Sequence, residues 1–237
     1  MLVEKGLAKS RQRAQALIMA GKVRVNDQAV DKPGFFVLID DALELKGEDF
    51  SYVSRGGLKL EAALNNFNLN VTGSVCMDVG ASTGGFTDCL LQHGAERVYA
   101  VDVGYGQLAW KLRQDPRVVV IERTNVRHMP ADAIPDLVDL VTVDVSFISL
   151  KIVVPAIVRF MKPAAAILAL IKPQFEVGKG QVGKGGVVRG QKLHQQVIAN
   201  LSDFFTAIKL KSKSVYPSPL LGPKGNREFF ILLNNDG

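Results

Sequence analysis

Short apolar runs alternate along this chain with stretches whose apolar residues recur every three or four positions. The runs Val75–Val79, Arg97–Val101, Arg117–Ile121, Leu137–Val143 and Ala164–Ile171 are too brief for helices and predict strands buried on both faces of a parallel sheet. Between them, Phe86, Leu90 and Leu91 fall at helical spacing after a tight turn, Gly80–Gly85. The spacing predicts further helices over Leu150–Met161 and Gln191–Ile208, then two closing strands, Lys213–Tyr216 and Glu228–Leu233. Ahead of the first run, Ser54-Arg55-Gly56-Gly57 opens a helix carrying Leu58, Leu60, Ala62 and Leu64. Alternation of this kind implies an α/β, doubly wound, Rossmann-like sheet with helices on both faces.

Residues 1–46 depart from that rhythm. Ser10 caps a predicted helix that runs to Ala20, with Ala14, Leu17 and Ile18 on its apolar face and Gly21 as its stop. Strands are expected at Val23–Val25, Phe35–Ile39 and Leu43–Leu45, separated by the turn signals Asn26-Asp27, Lys32-Pro33-Gly34 and Asp40-Asp41. The expected organisation is a small N-terminal α+β domain (1–46), a polar linker (47–54) and the sheet domain (55–237).

A chain of 237 residues with 47% hydrophobic content has room for both cores. The net charge of +6 favours a polyanionic partner. Near the N-terminus Lys5, Lys9, Arg11, Arg13, Lys22 and Arg24 face a single acid, Glu4; alone, that is the signature of a solvated helix face. These early charges exclude a signal peptide, and Ala164–Ile171 is too short to span a bilayer. Cys76 and Cys89 form no C-x-x-C pair. Two core thiols in a reducing compartment is the better reading, so the expectation is a cytoplasmic protein with no metal site and no membrane partner.

The loop after Val75–Val79 narrows the chemistry. A dinucleotide fingerprint starting at Gly80 needs glycine where this chain has Ser82. A phosphate-cradling loop needs Lys where Phe86 follows Gly85. What remains is a nucleoside without a pyrophosphate, and S-adenosylmethionine (SAM) fits. Asp102, about twenty residues on at the end of the second strand, is placed to accept both ribose hydroxyls. The competing reading is a glycine turn with no nucleoside ligand. Asp144 and Lys172 end predicted central strands, at the sheet edge where such folds hold their ligands. Lys59 precedes the first strand and Glu228 opens the last. Taken singly, each is as readily a solvated strand-end charge.

Two resemblances sharpen this. L-V-E-K-G-L-A-K-S-R-Q-R-A-Q-A-L-I-M-A-G-K-V-R-V-N-D closely resembles the RNA-binding module named after ribosomal small-subunit protein four, which presents a basic helix and a G-x-V-x-V-N turn to structured RNA. D-V-G-A-S-T-G-G-F-T-D, D-V-G-Y-G-Q-L-A-W, D-V-S-F-I-S-L, K-P-Q-F-E-V-G-K-G-Q-V-G and G-N-R-E-F-F together resemble the TlyA/hemolysin A family, ribosomal RNA 2′-O-methyltransferases with an FtsJ-type catalytic domain. The family pattern R-G-A-H-K stands here as Arg55-Gly56-Gly57-Leu58-Lys59. By motif position the resemblance implies a catalytic tetrad of Lys59, Asp144, Lys172 and Glu228 and a cytidine target on ribosomal RNA or ribosomal subunits. Lys172 is the expected general base: burial beside Lys59 and the SAM cation would disfavour its ammonium, Asp144 would orient it, and Glu228 would hold Lys59 or the ribose.

The candidate SAM contacts are Asp78, Gly80, Ala81, Ser82, Thr83, Gly84, Gly85, Asp102, Val103, Asn125 and Asp144. The candidate RNA contacts are Lys9, Arg11, Arg13, Lys22, Arg24, Arg55, Lys179 and Lys184. The last two lie in Gly178–Gly186, which reads either as a bare connector or as a segment able to close over an RNA backbone. Two rivals stand beside the enzyme: an rRNA-binding protein without methyl transfer, and a membrane-lytic protein, for which no insertion segment is visible.

Overall fold

The computed structural model describes residues 1–235 apart from Lys9, Ala20, Asp27, Asp40, residues 46–50 and Lys179. The chain divides into two compact units, Met1–Phe50 and Ser51–Gly237.

In the first unit, helix α1 (Arg11–Met19) packs on a three-stranded antiparallel sheet of β1 (Val23–Val25), β2 (Gln28–Val30) and β3 (Leu43–Leu45), ordered β2-β1-β3. Leu2, Ala8, Leu17 and Val23 form its small core. Gly21, at φ 64°, turns the chain out of α1. The strand expected at Phe35–Ile39 is absent. Asn26, at φ 48°, sits in a two-residue turn that pairs Val25 with Gln28, so β2 begins at once. With β2 on one edge of β1 and β3 on the other, both places beside β1 are taken, and residues 35–39 pair with no strand, whatever their β propensity. Phe36 and Ile39 are correspondingly 82% and 81% exposed.

The second unit runs α2 (Arg55–Phe67), β4 (Val75–Val79), α3 (Gly85–Gln92), β5 (Arg97–Val101), α4 (Trp110–Arg113), β6 (Val118–Ile121), β7 (Val138–Val143), α5 (Leu150–Ile157), β8 (Met161–Ile171), α6 (Gln191–Ala207), β9 (Leu210–Pro217) and β10 (Phe229–Asn235). Its sheet is ordered β6-β5-β4-β7-β8-β10-β9. β4 to β8 are parallel, and β10 inserts antiparallel between β8 and β9. Strand order reverses at β4, with β5 on one side and β7 on the other, which is the switch point where ligands bind in such sheets.

Side-chain alternation along the strands builds two cores. Leu140, Leu168, Leu170 and Phe230 meet α2 and α3 through Leu60, Leu64 and Leu90. Met77, Val141, Ile167 and Ile231 meet α5 and α6 through Val154, Leu201 and Phe205 on the other face.

The helix expected to reach Met161 stops at Ile157, and a 3-10 turn, Val158–Phe160, delivers the chain directly into β8. β8 thus starts earlier than its apolar run. It absorbs Pro163, which has no N–H for the ladder, through a register shift against Val138/Leu140 and Ala164 at φ 62°. Residues 51–54, expected to be linker, are packed into this unit. Tyr52 is buried, and a Cβ on Gly57 would lie 2.2 Å from its ring. Val53 N donates to Asp88 Oδ2 at 2.7 Å, and Ser54 caps α2 by accepting from Gly56 N. The remainder of the expected 47–54 linker, like the boundary at 46, lies outside the described residues.

Candidate active site

The carboxyl ends of β4, β5 and β7 surround a cavity of about 500 Å³, a size suited to a nucleoside. The two central strands close on each other at its floor: Asp144 N donates to Val79 O at 2.9 Å, and a Cβ on Gly80 (φ 88°) would stand 2.5 Å from the Asp144 carbonyl oxygen. Only glycine fits there. Asp102, at the end of β5, is fixed by two backbone donors, Ser82 N to Oδ2 at 2.8 Å and Gly104 N to Oδ1 at 2.6 Å. A carboxylate accepts about four hydrogen bonds, so both oxygens keep a lone pair for a ligand. Ser82 holds φ 48° to make its bond and donates from Oγ to Gln107 Oε1 at 3.2 Å.

Of the candidate cofactor residues, Gly80, Ser82, Asp102, Val103, Asn125 and Asp144 line this cavity. Asp78, Ala81, Thr83, Gly84 and Gly85 do not, and each has a structural occupation instead. Gly84 (φ 93°) leaves no room for a side chain because a Cβ would meet Leu112 at 2.3 Å and Leu108 at 2.7 Å. On Gly85 it would meet Ser54 Oγ at 2.3 Å. Thr83 O accepts from Ala109 N, and Ala81 is buried in the α2–α3 core. Asp78 is fully buried and accepts from Thr87 N at 3.0 Å, Thr87 Oγ1 at 2.7 Å and Thr142 Oγ1 at 3.1 Å, tying β4 to α3 and β7. Burial pushes its carboxyl up to about 7, although the threonine bonds act in the opposite direction.

The four charged candidates form two ion pairs. Lys172 Nζ lies 2.6 Å from Asp144 Oδ1 and donates to Ser146 Oγ at 2.9 Å. Lys59 Nζ lies 2.6 Å from Glu228 Oε2, with the Glu228 side chain wholly buried. Sheet geometry explains the convergence. Strand alternation continued one step past Val143, past Ile171 and before Phe229 sends Asp144, Lys172 and Glu228 to the α2–α3 face, and Lys59 stands on α2. Phe229 pairs with Ile171, so Glu228 falls opposite Lys172. In this arrangement Asp144 takes Lys172 and Glu228 takes Lys59; the groups found on the Lys172 ammonium are Asp144 and Ser146.

A second cavity of about 320 Å³ adjoins Lys172, and Ser146 and Phe147 border both cavities. Phe147 holds φ 63° and is 91% exposed, an outlier for an aromatic residue and of the kind that clusters at functional sites. Its ring lies 5.0 Å from that of Phe175. Phe147, Ser146 and Gln107 do not stand out in the sequence, although D-V-S-F and G-Y-G-Q both carry them. Gly222 is likewise required, because a Cβ there would lie 2.0 Å from Glu228 Oε1.

Among the RNA candidates, Arg11 is exposed on α1, Arg55 is exposed at the start of α2, and Lys184 is exposed in the glycine-rich segment. Arg13 also lies on α1, while Lys22 and Arg24 are half-buried around β1. Lys9 and Lys179 lie outside the described residues. Among the described residues no cluster of His, Cys, Asp or Glu is placed to hold a metal, and no helix is long and apolar enough to cross a membrane.

Residues 52–235 match the FtsJ-like methyltransferase family, and residues 1–43 match the S4 domain. A Mycobacterium tuberculosis protein named 16S/23S rRNA (cytidine-2′-O)-methyltransferase TlyA is 51% identical over 98% of this chain and 87% of its own length. Hemolysin A of Brachyspira hyodysenteriae is 42% identical over 94% of this chain and 93% of its own. A solved structure described as a hemolysin from Streptococcus thermophilus superposes with a TM-score of 0.78 at 44% identity, over 99% of this chain and 86% of that one. A SAM-dependent methyltransferase from Aquifex aeolicus shares the fold alone, with a TM-score of 0.53 at 19% identity over 77% of this chain and 94% of that one. The chain therefore belongs to the FtsJ-like methyltransferase family, in the branch whose members carry an S4 domain and the names TlyA and hemolysin A.

Proposed function

We propose that this protein transfers a methyl group from SAM to a ribose 2′-hydroxyl, that of a cytidine in ribosomal RNA. The observation that carries the reading is the pair of lysine–carboxylate ion pairs on one sheet face, with Glu228 wholly buried and Lys59, Lys172 and Asp144 partly so, beside a nucleoside-sized cavity with Asp102 at its wall. Ion pairs drawn out of water are poor stabilisers, because desolvation consumes most of their attraction. Two of them at the ligand-binding edge of a switch-point sheet are better accounted for by chemistry.

The cavity residues fit SAM. Asp102 holds the nucleoside ribose through its two remaining lone pairs, while Gly80, Val103 and Asn125 frame the rest, and among the described residues no lysine lines the cavity. When bound, SAM supplies an electrophilic methyl group. Lys172 Nζ, after giving up one proton to solvent, is positioned to take the proton of the attacking ribose hydroxyl. Asp144 holds the ammonium so formed and, with Ser146, fixes where it points. Glu228 fixes Lys59, whose charge then faces the same edge. The domain roles follow: residues 1–46 supply RNA affinity through Arg11, Arg13, Lys22, Arg24 and Lys9, whereas residues 55–237 supply the chemistry, with Arg55, Lys179 and Lys184 on RNA phosphate.

The test is transfer of labelled methyl from SAM to ribosomal subunits, followed by alkaline hydrolysis. A 2′-O-methylated cytidine resists cleavage and is expected as an intact dinucleotide. Label on a base, or RNA binding without label, would contradict the reading; the second outcome would favour the rRNA-binding rival. Among the described residues no helix is long and apolar enough to cross a membrane, and liposomes are expected to stay sealed.

A further inference from the structure

Where the glycine-rich segment that follows Lys172 ends, His194 Nε2 lies 3.1 Å from Val188 O, and Asn226 holds Val188 N and Gly186 O. Asn226 is 3% exposed. Its Oδ1 accepts from Val188 N at 3.0 Å, and its Nδ2 donates to Gly186 O at 3.0 Å. The segment adds a bond of its own, Gly183 N to Val187 O at 3.0 Å. Asn226 stands two residues before Glu228 in the β9–β10 connection, which is itself closed tightly. Gly222 N donates to Asn226 O at 2.8 Å, Gly225 N to Gly222 O at 3.1 Å and Ser218 N to Glu228 O at 2.9 Å. One turn thus fixes both the buried carboxylate partnered with Lys59 and the backbone of residues 186–188.

That backbone borders a pocket. Gly186, Val182, Lys224 and Asn226 line the smaller cavity together with Phe147, Phe175 and Lys172. Lys224, which lines the cavity, and Lys184, two residues before Gly186, have no acidic partner among the described residues and are exposed, so an RNA phosphate could meet both. We propose that Asn226 is a positioning residue: it holds segment 183–188 in place as one wall of the pocket that receives the methyl-accepting nucleoside. The inference rests on the reading of the site as an RNA ribose methyltransferase.

The physical reason lies in the sequence of the segment. Glycine loses more conformational freedom on ordering than any other residue, and Gly183, Gly185 and Gly186 fall within four positions. Without a fixed anchor, that ordering would have to accompany RNA binding and weaken it. An amide carries the acceptor and the donor that Val188 N and Gly186 O require, and no apolar side chain does.

The test compares full-length wild type with Asn226→Ala and Asn226→Asp, the latter keeping the acceptor for Val188 N and losing the donor for Gly186 O. The alanine variant is expected to raise KM for ribosomal RNA about tenfold, the scale of two lost hydrogen bonds, with kcat within about threefold. SAM affinity is expected to stay unchanged, since Asn226 is no part of that cavity, and the Val188 amide should exchange faster. The aspartate variant should show the same split at smaller size and serves if the alanine variant does not fold. An active wild type whose variants keep the RNA KM, or lose SAM affinity and RNA affinity in parallel, overturns the inference alone. A wild type that methylates no RNA overturns the reading of the site, and the inference with it.

Discussion

Asp102 and Asp78 end and occupy neighbouring parallel strands, yet burial separates their roles. Asp102 offers free lone pairs to the cavity, and Asp102→Ala is expected to cost about 1.5–3 kcal/mol of SAM binding by calorimetry; unchanged binding would place the nucleoside elsewhere. Asp78 spends its bonds on Thr87 and Thr142, and its carboxyl sits at about 7 against an ordinary 3.8. Between those values the native state binds more protons than the unfolded one, so this residue makes stability fall as pH rises from about 4 to about 7 and level off above. Asp78→Asn should remove that slope in urea unfolding measured across the range, and a slope identical to wild type would contradict it. Sequence spacing was enough to find Asp102, because strand ends are visible in hydrophobic runs. It could not separate a cavity-facing carboxylate from one turned into the core: Asp78 and Gly80 share a strand face, and only the packing of α3 decides which of them meets a ligand.

At the scale of elements, apolar runs located the parallel strands of the large sheet, because a strand buried on both faces must be continuously apolar. Boundaries moved where a local run met a distant partner, as at β8, drawn back to Met161 by its pairing with Val138. The same logic removed the strand expected at Phe35–Ile39 and supplied Gln28–Val30 in its place. The glycine loop was legible as a turn, but not the reason for each glycine. Gly84 looked like room for cofactor backbone; its φ of 93° and its contact with Leu112 and Leu108 make it a packing requirement. Gly84→Val should therefore destabilise the fold by about 2–5 kcal/mol, from a strained left-handed residue and an overpacked contact together, and any loss of SAM binding should accompany a lower Tm. SAM binding lost at an unchanged Tm would restore the direct role.

At the scale of the whole molecule, the proposed function divides affinity from chemistry between the two units. Replacing Arg11 and Arg13 with alanine should weaken rRNA binding and flatten its salt dependence by up to roughly one unit of log–log slope per lost contact, with SAM affinity unchanged; an unchanged slope would remove α1 from the RNA face. The tetrad residues were legible only through motifs. Nothing in periodicity says that Glu228 returns beside Lys172, since that follows from β10 inserting between β8 and β9, a pairing between segments far apart in sequence. Asn226 was invisible for the same reason. In the proposed mechanism the edge bearing Lys172 and Asp144 moves a ribose hydroxyl proton during methyl transfer, and every other assignment leans on that step. The most direct measurement is single-turnover methylation of ribosomal RNA at saturating SAM, with 2′-O-methyl sites mapped, for wild type and Lys172→Ala. Methylated cytidine ribose is expected in the wild type and a loss of roughly 10²–10⁴ in rate for the variant, with SAM and RNA still bound. A loss below about tenfold, or methyl groups mapped to bases, would contradict the mechanism.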